Sequence, residues 1–116
     1  MDPNVLSNLS VELKRGTQVL AVLSQLKTNQ YGYSLLQALE EKGVFIEPGT
    51  LYPLMRRLEA QGMLKSEWDT SESRPRKYYC LSDEGVKIYE MLIEEWQRIV
   101  SDMDRLIREE NHGKND

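Results

Sequence analysis

Cysteine and histidine are nearly missing from this chain, with one of each, Cys80 and His112, in 116 residues. A lone cysteine forms no intrachain disulfide, and one thiol plus one imidazole near the chain end supply too few soft ligands for a structural zinc site. Nucleophilic triads are equally starved, because that imidazole stands among the last residues. No Gly-rich loop carries a lysine, so a phosphate-cradling nucleotide site has no basis in the sequence. The longest unbroken apolar run is Val19 to Leu23, against the roughly 20 residues needed to cross a bilayer. The N-terminus shows no apolar signal-peptide core, and the expectation is a soluble, cytoplasmic protein with no membrane partner. Nothing points to an enzyme, a metal site or a cofactor.

What is present suits one folded domain: 40% of positions are hydrophobic, and there is neither an internal repeat nor a low-complexity linker. Formal charge is -4, from 15 Lys+Arg against 19 Asp+Glu, which on its face argues against a nucleic-acid partner. The distribution removes that objection. Residues 82–116 hold 5 basic and 10 acidic side chains, a net of -5, whereas residues 1–81 hold 10 and 9, a net of +1.

Apolar spacings of three and four predict a first helix capped by Ser10, carrying Leu13, Val19, Leu20, Val22, Leu23 and Leu26, and stopped at Thr28-Asn29-Gln30. A second helix is expected from about Tyr31 to Lys42, with Gly43 as its left-handed cap. Glu47-Pro48-Gly49-Thr50 opens a third, whose apolar side is Leu51, Leu54, Met55 and Leu58 and which ends near Gly62; Thr50 is its expected cap. The period then changes to two: Leu64, Ser66 and Trp68 alternate with Lys65 and Glu67, and a polar turn leads to Arg76-Lys77-Tyr78-Tyr79-Cys80-Leu81. Ser82 caps a long fourth helix with Asp83 and Glu84 in its first turn. The expected fold is mainly α with a small β-hairpin, a winged helix-turn-helix over residues 1–81, then a C-terminal dimerisation helix over 82–110 and a tail over 111–116.

Two surfaces carry chemistry. The side of the third helix opposite its apolar stripe holds Gly49, Pro53, Arg56 and Ala60, flanked by Tyr52 and Arg57. Small residues around a central arginine suit a helix seated in a major groove, with Arg56 reaching a base edge or phosphate and Tyr52 and Thr50 donating to phosphate. Beyond the strands, Arg74, Arg76 and Lys77 form a basic hairpin tip suited to the DNA backbone or minor groove. Either feature alone is equally the mark of an ordinary solvated surface; together they favour double-stranded DNA. The competing reading is a winged-helix protein-interaction module without DNA binding.

On the fourth helix, Tyr89, Leu92, Trp96, Ile99, Met103 and Leu106 recur at spacings of three and four, with Ile93, Val100 and Ile107 beside them. Each such side chain contributes on the order of 1.5 to 3 kcal/mol when fully buried, so a second copy of the chain is expected to cover the stripe. Two-fold symmetry then predicts a two-fold symmetric DNA site with half-sites one helical turn, or a multiple, apart. Trp96 has two readings, packing within the seam or a platform on which a flat aromatic ligand stacks between subunits. Trp68 is expected as apolar cover for the hairpin, and Cys80 as an inert core thiol.

Tyr31-Gly32-Tyr33, Pro48 to Leu54, Arg57-Leu58-Glu59, Gly62, Arg76-Lys77-Tyr78-Tyr79, Leu81-Ser82 and Gly85 come in an order and spacing that closely resembles the PadR family of transcriptional regulators. The resemblance runs from about Leu13 to Leu106, and its single short C-terminal helix is similar to the smaller subfamily that includes the lactococcal multidrug regulator. It implies a dimeric winged-helix repressor that binds palindromic promoter DNA and is released by a small molecule. It also implies that Tyr31, Thr50, Tyr52 and Arg56 lie in DNA-reading helices and Arg74, Arg76 and Lys77 in the wing. The segment Glu95-Trp96-Gln97-Arg98 resembles the part of the multidrug-binding relatives where a tryptophan stacks planar drugs. Family members respond to phenolic acids or to other signals, so the match leaves the effector open, with a small planar aromatic or phenolic molecule as the candidate.

Overall fold

Asp2 and Pro3 start the first helix, well before the serine expected to do so. The computed structural model describes residues 2–115, with side chains from 2 to 109, so the expected tail lies outside the described side chains. The Asp2 carboxylate accepts the Asn4 amide at 2.9 Å and Pro3 takes the first helical position, a stronger start than Ser10 offers. Helix α1 (Pro3–Arg15) stops at Gly16, where the Thr17 hydroxyl and amide both return to the Lys14 carbonyl at 2.7 and 3.0 Å. Helix α2 (Gln18–Ser24) follows. The single helix expected from Ser10 to Leu26 is thus two, and Leu13, counted in its apolar period, is 80% exposed on α1.

Helices α3 (Gly32–Glu41) and α4 (Pro48–Ala60) end alike. Gly43 and Gly62 both adopt φ +81°, and the residues after them, Val44 and Met63, donate back to Leu39 and Leu58 at 2.9 Å, closing each helix with a left-handed glycine cap. At the start of α4 the cap is Glu47, whose carbonyl accepts the amides of Thr50 and Leu51; Thr50 already lies inside the helix. Pro53 therefore falls beyond the first turn, and the Gly49 carbonyl loses its helical donor at an exposed position, open to solvent.

Strands β1 (Leu64–Asp69) and β2 (Arg76–Leu81) pair antiparallel, Leu64 opposite Leu81 and Asp69 opposite Arg76. A further pairing, not foreseen from the sequence, joins Gln30 to Tyr79 through two backbone hydrogen bonds of 2.8 and 2.9 Å. The base of the hairpin is thereby stitched to the residue preceding the N-cap of α3. Ser82 caps α5 (Asp83–Asn115) by accepting the Gly85 amide at 2.9 Å, while its hydroxyl donates to the Gly62 carbonyl at 2.6 Å.

Val22, Leu23 and Leu26, Leu35 and Leu39, Leu51, Leu54, Met55 and Leu58, with Ile46, Leu64 and Leu81, form one core among α2, α3, α4 and the hairpin base. Helix α1 stands outside it, and α5 joins it only near its start, through Tyr89 and Leu92. No residue of α1 is buried, and beyond Ile93 none of the apolar residues on α5 is buried. The radius of gyration, 17.9 Å against about 13 Å for a compact chain of this length, records the projection. No helix among the described residues is long and apolar enough to cross a membrane.

Candidate nucleic-acid interface

Helix α4 and the hairpin are locked together through one carboxylate. Glu59, in the last turn of α4, accepts the Ser66 hydroxyl from β1 and the Lys77 ammonium from β2, the latter at 3.1 Å. These bonds, with the Ser66 hydroxyl the largest contribution, hold the Glu59 carboxyl below the usual carboxylate range. The same contact holds Lys77 more firmly protonated than an ordinary lysine. Lys77 also lies 5.2 Å over the Tyr79 ring.

The opposite face of the hairpin is tied to α3. Tyr31, the N-cap residue of α3, meets Tyr78 edge to face at 5.6 Å between ring centroids, and the Arg76 guanidinium sits 4.7 Å over the Tyr31 ring. Closeness to the Tyr31 phenol raises the pKa of Arg76, with Glu72, 4.0 Å away, adding to the effect. At the hairpin tip the Asp69 carboxylate accepts the Ser71 amide at 2.9 Å; hydrogen bonds from Ser71 pull its pKa down.

The eight residues expected on the DNA face therefore divide. Thr50, Arg56, Arg57 and Arg74 are exposed, and none of these three arginines has a carboxylate within 4.0 Å among the described residues. Tyr31, Arg76 and Lys77 are spent on fixing the hairpin to α3 and α4. Tyr52 is half-buried against the core with its ring on Gly32, where an added Cβ would lie 2.6 Å from the ring. Sequence reasoning missed Glu59, Ser66 and Gln30, which set the angle of the hairpin. No local pattern marks Glu59 and Lys77 as partners 18 residues apart, although the alternation of β1 does place Ser66 on the inward face.

The aromatics differ too. Trp68, expected as cover for the hairpin, is 64% exposed, and Cys80 is half-buried rather than in the core. Of the apolar residues assigned to the seam, Tyr89 and Leu92 pack on the chain's own core and Ile93 is half-buried, whereas Trp96, Ile99, Val100, Met103, Leu106 and Ile107 are exposed in the single chain. No group of three His, Cys, Asp or Glu among the described residues is placed to hold a metal ion.

Known proteins share this arrangement. The sequence profile of the transcriptional regulator PadR-like family matches residues 19–91. A Mycobacterium tuberculosis protein named transcriptional regulator Rv3488 is 37% identical over 75 residues, 64% of this chain and 70% of its own. The crystal structure of a PadR family transcriptional regulator from Eggerthella lenta superposes with a TM-score of 0.85 at 46% identity, over 90% of this chain and 93% of that one. Bacillus subtilis PadR in complex with operator DNA shares the fold, with a TM-score of 0.59 at 20% identity over 64% of this chain and 44% of that one. With the helix order, the hairpin and the long last helix in agreement, the chain belongs to the PadR-like family of transcriptional regulators, a family of regulators and not of enzymes.

Proposed function

We propose that this regulator is a homodimeric, sequence-specific DNA-binding repressor, reading a two-fold symmetric promoter site with α4 and gripping the flanking backbone with the hairpin as a wing. The observation that carries the reading is the set of exposed arginines without carboxylate partners, Arg56 and Arg57 on α4 and Arg74 at the wing, on two elements that Glu59 fixes to each other. Unpaired guanidinium groups held on a rigid frame are what phosphate and guanine edges select. A protein-interaction module has no need of that charge. The second copy of the chain covers the exposed stripe of α5 and, with it, Leu6, Leu9 and Leu13 of α1, which are largely exposed in one chain.

The division among the cations makes the test specific. Arg74 is free, so Arg74→Ala should weaken binding to all duplexes and flatten the log–log dependence of affinity on salt by about 2 per dimer, one phosphate per protomer at about 0.9 each. Lys77, already balanced by Glu59, should leave that slope nearly unchanged when replaced by alanine. Mobility shifts against the region upstream of the protein's own gene read both. No retardation of the unaltered protein at low salt would sink the DNA reading and leave the interaction module.

Trp96 extends the proposal to ligand sensing. It is 41% exposed in the single chain, in the middle of the stripe that the second copy covers, so the two symmetry-related indoles line the interface. A planar aromatic or phenolic effector stacked there would couple to the spacing of the two α4 helices. In Trp68→Phe protein, titration with planar cationic and phenolic aromatics is expected to quench the Trp96 emission. Unchanged emission across that panel removes the pocket while leaving the DNA reading intact.

A further inference from the structure

Helix α4 has two flanks, and only one of them faces the wing. At 100° per residue, Tyr52 and Glu59 fall roughly 40–60° to one side of Arg56, and Thr50 and Arg57 roughly 100–120° to the other. The Glu59 flank is the one bonded to the hairpin. Along the Thr50 flank runs a cleft of about 320 Å³ between α4 and the junction of α1 with α2, lined by the apolar Val19, Pro53 and Leu54 and by Arg15, Gln18, Thr50 and Arg57.

We propose that this cleft seats a backbone phosphate of duplex DNA, on the strand across the major groove from the one the wing touches. The proposal rests on the DNA-binding reading and adds Arg15 and Gln18 to the interface. The lining holds two arginines and no acid, and neither arginine has a carboxylate within 4.0 Å among the described residues. Two uncompensated guanidinium groups, which only donate, beside a hydroxyl and an amide that can each donate as well, fit an oxyanion accepting from several directions, as a phosphodiester does. Arg57 and Thr50 stand two turns apart on one row of α4, so an anion in the cleft is held against the helix that carries Arg56. The major groove is about 12 Å wide and bounded by one strand on each side. A helix seated in it, with a wing on one flank and an arginine cleft on the other, touches both walls. The cleft would then set how deep and at what tilt α4 sits, a constraint that a wing alone leaves open.

Arg15→Gln tests this, because the residue is exposed at the end of α1 and its loss removes charge without touching the core. The salt dependence of binding to the upstream duplex should flatten by about 2 per dimer, on both specific and unrelated duplex DNA. Arg15→Lys should restore most of the slope. The double variant Arg15→Gln with Arg74→Ala should lose the sum of the two slopes, because the two residues meet different phosphates. If Arg15→Gln binds with unchanged affinity and slope while the unaltered protein shows a salt-dependent shift, the cleft is not a phosphate seat and the DNA reading stands. If the unaltered protein binds no duplex at low salt, both fall. Should the double variant lose no more than either single one, the two arginines share one phosphate and the placement on opposite strands is wrong.

Discussion

Gly85→Ala is expected to unfold the domain. The position lies in the first turn of α5, where alanine is ordinarily better than glycine by about 0.8–1 kcal/mol. Here a Cβ would stand 1.9 Å from the Met63 carbonyl oxygen and 3.0 Å from its carbon, an overlap with backbone that no rotamer relieves. The oxygen has nowhere to retreat, since it accepts the Ser82 amide at 3.0 Å and the Ser82 hydroxyl at 3.1 Å, and the Met63 amide is itself engaged by Leu58 in the cap of α4. Accommodation means lifting α5 off the hairpin base, where Leu64 and Leu81 are buried. A loss above about 4 kcal/mol follows, a large part of the roughly 5–15 kcal/mol that holds a domain of this kind. Gly32→Ala is the contrast, because the atoms nearest its Cβ belong to the half-buried ring of Tyr52, a side chain that can shift where backbone cannot. Urea denaturation followed by circular dichroism should show Gly85→Ala unfolded, or with its midpoint near zero denaturant, and Gly32→Ala folded with a modest loss. An unshifted midpoint for Gly85→Ala would mean that α5 does not dock on Met63.

The contrast between those glycines reflects what a sequence exposes to reading. The apolar periods of α3, α4 and the hairpin are legible because each buries its own stripe in the shared core, so spacing and burial coincide: Leu51, Leu54, Met55 and Leu58 read as one face and form one face, whereas of the α5 stripe only Tyr89 and Leu92 reach that core. Gly43 and the Gly62 stop are legible because a left-handed cap is a local demand. Helix α1 was not, since Leu6, Leu9 and Leu13 point at no partner within the chain and a serine further along offered a second start. The Glu59 clamp and the Gln30–Tyr79 pairing join residues far apart in sequence, and neither leaves a periodic trace. Basic residues, by contrast, were all visible, but which of them are free depends on tertiary neighbours. Lys77 and Arg74 look equivalent in sequence, and only the fold shows one neutralised by Glu59 and the other unpaired.

In the proposed homodimer, two carboxylates in the middle of the α5 stripe are expected to separate the subunits and abolish operator binding while leaving the fold intact. Ile99 and Met103 are 49% and 48% exposed in one chain, so Ile99→Glu with Met103→Glu meets only water in the monomer. Across a two-fold axis the same change buries four carboxylates, two from each chain, in an apolar seam, at several kcal/mol per ion after relaxation. The gain being cancelled is smaller: exposed stripe residues at half burial are worth on the order of 1 kcal/mol each when covered. Dissociation therefore wins. The consequence for DNA is large, because two linked half-sites bind with an effective concentration that a monomer forfeits, on the order of 10²–10⁴ in affinity. Sedimentation should report a monomer with unchanged helical content, and mobility shifts should lose the operator complex. Because Trp96 lies on the same stripe, its emission should move towards that of a solvated indole in the same variant. A protein that stays dimeric with both substitutions would place the interface elsewhere, and with it the spacing of the two α4 helices on which a symmetric operator depends.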